Sequence, residues 1–159
     1  KMATYNYTSS TLGTVGHPAN AATPYVITSQ VVDAVDNTDL EQGDVVQLLD
    51  IPADSMIIGG CIETLEASGN AQVTFDVGFT GGDVDSLVDG GVSNAAAAVQ
   101  FTLKAAGTGN VTTSADTLDL LVIDAASSKT TAWRFRAHVV LVDISKNPIN
   151  ALATVATGT

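Results

Sequence analysis

The nine residues AQVTFDVGF constrain the fold more than any other stretch of the chain. Val73, Phe75, Val77 and Phe79 fall on one side of an extended backbone, and Thr74, Asp76 and Gly78 on the other. A period of two with one apolar side predicts a strand that packs on one face and is wet on the other. The same reading extends along the chain. YVITSQVVDAV alternates as a β-rich segment, VVQLLDI follows an acidic turn and ends at Pro52, and MIIGGCIETLEA is a third apolar strand. Gly59 and Gly60 within it predict a bulge or a close backbone approach. TLDLLVIDAA and TAWRFRAHVVLVDI come late, and the SSKT between them suits a hairpin connection. DVDSLVDGGVSNAAAAVQ, with its alanines, is the one candidate for a short helical turn.

About eight strands, with turns every 8 to 14 residues and no long amphipathic helix, predict an all-β antiparallel sandwich of jelly-roll type. At 159 residues one domain is expected. Hydrophobic residues make up 45% but aromatics only 5%, so the core should be built from Val, Leu and Ile, with Trp133 and Phe135 on the packed face of the last strand. Residues 1–24 and 146–159 show neither period and read as an extended N-terminal arm and a C-terminal tail around a domain at 25–145. Tyr5, Tyr7, Leu12 and Val15 are spaced apolar anchors along that arm, suited to a groove on a neighbouring chain or equally to a disordered terminus.

Charge narrows the partners. Seventeen acidic against six basic residues give a net charge of −11, which opposes binding to nucleic acid or to an anionic membrane surface. No apolar run approaches the ~20 residues of a membrane span. The N-terminus lacks a secretory-signal profile, and the chain reads as soluble and unprocessed apart from Lys1, which precedes a start-like methionine. Cys61 is the only cysteine and sits among apolar neighbours, which predicts a small buried hydrophobe.

Catalytic and cofactor motifs are missing: there is no GxGxxG after a strand, no Walker motif and no HExxH, and no cofactor is expected. His17 lies in the arm and His138 within a strand, where a surface role is expected. A hydrolase using two of the many carboxylates is the weakest option, since nothing selects a pair. Asp83, Asp85 and Asp89 flank Gly82 and Gly90 as hard oxygen ligands would, but the offsets of a known calcium loop are absent, so an acidic surface loop is preferred and no metal is expected. Arg134 and Arg136, the only arginines, share one face of the last strand. They could pair across strands with the chain's own carboxylates, Asp119 for one, or grip a partner's acids.

GDVVQLLDIPADSMIIGGCIETLEASGNAQVTFDVGF, then a DG-containing loop and SADTLDLLVID, resembles a recurring type of tailed-bacteriophage virion protein. The matching pieces are Gly43 to Ala53, Thr74 to Gly78, Val88 to Gly90, Asn94 to Ala96 and Asp116 to Leu120, and the resemblance covers roughly residues 25–145. It implies a small structural component, in particular a capsid decoration (cement) protein on the outer surface of the virion. Its partners would then be the major capsid protein and further copies of itself, in trimers rather than dimers. The arm lies outside the resemblance, and the expectation that it clamps neighbouring subunits comes from its extended sequence alone. The alternative is a carbohydrate- or receptor-binding β-sandwich, against which the sparse aromatics count.

Overall fold

The computed structural model of the chain describes residues 2–8, 23–34, 40–68, 73–79, 82–103, 111–125 and 133–145. The tail and the arm residues Leu12 and Val15 lie outside them. Within the described residues the secondary structure is eleven strands: β1 (Thr4–Asn6), β2 (Tyr25–Thr28), β3 (Val32–Asp33), β4 (Val45–Ile51), β5 (Ser55–Glu66), β6 (Val73–Phe79), β7 (Val88–Val92), β8 (Ala98–Gln100), β9 (Val111–Thr112), β10 (Asp116–Ala125) and β11 (Arg134–Asp143). One sheet, A, runs β1-β4-β10-β6-β7, and the other, B, runs β2-β11-β5-β8, with β3 extending β2 along β11 and β9 extending β8 along β5.

Apart from the short β1, β3 and β9, the strands pair antiparallel as first with last (β2·β11), second with seventh (β4·β10), third with sixth (β5·β8) and fourth with fifth (β6·β7). That is one long two-stranded ribbon rolled on itself, which is the jelly-roll wrapping of an all-β sandwich. A flat ribbon cannot bury a face alone. Rolling it brings β6 against β10 and β5 against β11, and encloses the apolar side chains of both sheets.

The alternation read from the sequence is the alternation that packs. Val73, Phe75, Val77 and Phe79 are buried from sheet A, and Phe135, Ala137, Val139 and Leu141 from sheet B. Trp133, just before β11, stacks on Phe135 with ring centroids 4.1 Å apart and lies 5.4 Å from Phe75 of the opposite sheet. This aromatic trio ties the two sheets together at the centre.

Three local expectations give way. The candidate helical turn at 83–100 holds β7 and β8 instead. Four alanines fall well short of a helix nucleus. The segment is taken up by sheet bonds: the Asp76 carboxylate accepts the Gly90 N–H at 2.8 Å, and the Ser93 N–H donates to the Val73 carbonyl at 3.1 Å. TLDLLVIDAA and TAWRFRAHVVLVDI do not form a hairpin, because β10 lies in sheet A and β11 in sheet B. The segment read as one strand from Tyr25 is two, β2 and β3. The Ser29 hydroxyl oxygen accepts the Ala137 N–H at 2.9 Å, and the buried parity shifts from Tyr25 and Ile27 to Val32 and Ala34.

Both expectations for the glycine pair of β5 are met. Ile57 faces Leu141 and Gly59 faces Val140, so Ile58 is the extra residue of a bulge. A Cβ on Gly60 would meet the His138 carbonyl oxygen and lie 2.5 Å from the Phe101 ring.

Candidate functional site

The outer face of sheet B gathers both arginines, His138 and Cys61. Directly opposed residues of an antiparallel pair share a face. The register therefore stacks the outward side chains in rows: Asp33–Arg134–Glu66, Arg136–Glu63, Thr28–His138–Cys61, Val26–Val140–Gly59 and Val142–Met56–Val111. The first three rows are polar and the last two apolar.

In the polar half, Arg134 Nε lies 3.1 Å from Asp33 Oδ2, with a second guanidinium nitrogen 4.0 Å from Glu66 Oε2. Arg136 Nε donates to Glu63 Oε2 at 2.6 Å, and His138 Nε2 reaches the same oxygen at 2.9 Å. A carboxylate can only accept, so Nε2 carries its proton. In the neutral ring Nδ1 then accepts the Thr28 hydroxyl, 3.0 Å away. Both arginines thus sit on the chain's own acids, drawn from β3 and β5. Asp119 is not among them, because it belongs to sheet A.

Hydrogen bonds from His138 and Arg136 hold the Glu63 carboxyl below its ordinary value of 4.5. A carboxyl depressed on folding stabilises above its unfolded pKa, and that stabilisation fades as pH falls through the lower folded value. Glu63→Gln is therefore expected to lower the melting temperature at pH 7 and to converge on the parent as pH falls below the depressed Glu63 value. Glu63 is about a third exposed, so the difference should be within ~1 kcal/mol. A gap that persists unchanged into acid would show that the charge of Glu63 is not what matters; thermal melts across pH measure it.

Cys61 is half-buried on this outer face rather than in the core. The bulge at Ile58 shifts the alternation by one residue, so Ile62 turns inward and Cys61 outward. Burial, then the charge of Glu63, push its thiol above the ordinary value. Both ring nitrogens of the facing His138 are taken by Thr28 and Glu63.

In the apolar half, the sequence pattern of β11 leads to the expectation of cover midway along. Among the described residues no such cover lies over Val26, Met56 or Val111, which are 50%, 38% and 39% exposed.

Tyr5 and Tyr7 lie at the other edge of the molecule. β1 adds to sheet A parallel to β4, with Tyr5 opposite Val46, and both tyrosines are half-buried against the chain's own core. The buried Asp44 carboxylate seats this strand, accepting the Ala3 N–H at 2.7 Å and the Glu41 N–H at 3.0 Å. The acidic loop is folded down on sheet A. The Asp83 carbonyl accepts the Ser86 N–H at 3.3 Å, and the Leu87 N–H donates to Val77 at 2.9 Å. Asp89 is exposed in β7, and no cluster of three metal-binding side chains occurs among the described residues.

No protein-family model matches the chain, and no curated protein is similar to it. Solved structures are. A chain of the "Capsid of Ralstonia phage GP4" superposes with a TM-score of 0.68 at 14% identity, over 88% of this chain and 97% of that one. A chain of the "Cyanophage Pam1 capsid asymmetric unit" gives 0.59 at 16% identity, over 82% and 91%. A chain of the "Acidic stable capsid structure of Helicobacter pylori bacteriophage KHP30" gives 0.53 at 10% identity, over 77% and 90%. At these identities the likeness is one of fold.

Proposed function

We propose that the protein is a non-enzymatic structural component of a phage virion, which binds the outer surface of the capsid and stabilises contacts between major capsid protein subunits. The observation that carries this reading is the near-complete superposition of the jelly roll on whole chains from three phage capsids, each covered to at least 90% of its own length. Such chains are as small as this one, the size of an accessory component with a single sandwich.

The chemistry of the described surface supports a binding role over a catalytic one. His138 has neither ring nitrogen free for a nucleophile, and the environment of Cys61 disfavours the thiolate. A sugar-binding role finds little support, because the aromatics that would stack on a ring are turned inward. Tyr25 and Trp133 are buried, and Tyr5 and Tyr7 lie half-buried against the core.

Cosedimentation tests the reading. The protein is expected to pellet with purified expanded heads at a fixed ratio to the shell subunit, and to raise the temperature at which those heads disrupt. Protein left in the supernatant at saturating head concentration would overturn it.

A further inference from the structure

We infer that the apolar half of the outer face of sheet B is a contact surface for a second copy of this chain. The inference does not rest on the capsid reading, because it concerns the free protein.

The patch is contiguous rather than scattered. Of the nine large apolar side chains most exposed among the described residues, four (Val26, Met56, Ile58 and Val111) fall on this half-sheet, and the half-exposed Val140 and Val142 run between them. Single exposed apolar residues are ordinary on a soluble protein, whereas a joined patch rimmed by polar residues marks an interaction site. At its centre the bulge turns both Ile58 and Gly59 outward, and a Cβ at Gly59 would meet nothing within 4 Å.

Charge selects the occupant. Two chains of net charge −11 repel each other over most approaches. The outer side of sheet A exposes Asp50, Asp89 and Asp124 with no cation among the described residues, so pairing with its own image would set acid against acid. Sheet B differs. Arg134 and Arg136, the only described cations, are there, offsetting two of the three charges of Asp33, Glu63 and Glu66, and the apolar half beside them carries no charge. Asp143 at its far end is turned back, accepting the Ser145 N–H at 2.9 Å and its hydroxyl at 2.6 Å.

The layout also suits self-pairing. A two-fold axis parallel to the sheet, running across the strands over the apolar half, sets apolar on apolar. It carries the two charged ladders to opposite ends, as a polar rim around a dry centre.

Sedimentation velocity on the purified full chain over a range of concentrations tests this. The parent is expected to associate as a dimer, more tightly in higher salt, since salt screens the overall repulsion and leaves the apolar contact intact. Met56→Glu and Val26→Glu, both at exposed outward positions that leave the core untouched, should each weaken association about tenfold or more, because a carboxylate would be buried without a partner. Ile123→Glu, at an exposed position of sheet A, should leave it unchanged. A parent that is monomeric at every concentration, or one whose association survives both sheet B substitutions, would overturn the inference.

Discussion

Replacing Trp133 with alanine is expected to remove about 3–5 kcal/mol of stability. The indole is fully buried, stacked on Phe135 of sheet B and tilted against Phe75 of sheet A, so its loss leaves a void where the two sheets meet. The surrounding side chains belong to strands locked by their own ladders and can collapse into that void only in part. The indole N–H also reaches Thr64 Oγ1 at 3.4 Å, a long bond whose loss adds little. Against a total of roughly 5–15 kcal/mol for a domain of this kind, much of the folded population is at stake. Urea unfolding followed by far-ultraviolet circular dichroism measures it, since the substitution deletes the chain's only tryptophan and with it the fluorescence signal. A loss below ~1 kcal/mol would mean that the aromatic trio is not the centre of the core.

What the sequence made legible follows from what alternation encodes. It reports which side of a strand is buried, so the spacing of Phe75, Phe79, Trp133 and Phe135 is enough to place all four inward, where they lie. It does not report which strand lies alongside. β10 and β11 read as a hairpin because a short polar connection serves a tight turn and a crossing between sheets equally well, and in a rolled ribbon the partner of β11 is β2, more than a hundred residues away. The same limit governs the site. Arg134 and Arg136 are visibly on one face, but their acids, Asp33, Glu63 and Glu66, are neighbours only through pairings distant in sequence. Cys61 departs from its expected place in the core for another reason: a single extra residue at Ile58 reverses the faces of the residues that follow it as far as Thr64, and two glycines announce such a bulge without giving its position. The apolar end of the β11 outer face is legible as a pattern. Its expected cover is not found among the described residues, where Val26, Met56 and Val111 stay exposed.

Gly78→Ala is expected to destabilise the protein by about 1–3 kcal/mol and to lift the acidic loop off sheet A. A Cβ at position 78 would collide with the Asp83 carbonyl oxygen and lie 2.6 Å from the Val84 carbonyl carbon. Both are backbone, so no side chain can rotate away, and the loop itself must move. That movement strains the bond from the Leu87 N–H to the Val77 carbonyl, at 2.9 Å, and the longer one from the Phe79 N–H to Asp83, at 3.4 Å. Asp119, the register partner of Gly78, is buried on what would otherwise be an open face, and it should become accessible as the loop lifts. Gly82→Ala is the control. Its Cβ would meet only the Phe79 Cβ at 3.7 Å and the Phe79 carbonyl at 3.8 Å, which are ordinary contacts. Amide hydrogen exchange read at Ser86 and Leu87 should accelerate in Gly78→Ala and stay at the parent rate in Gly82→Ala. Equal protection in the two variants would mean that the loop is not seated on Gly78. Acceleration confined to Gly78→Ala would instead identify the glycine-aspartate segment as a fitted part of the sandwich, whose acids stay at the surface because its backbone is held down on sheet A.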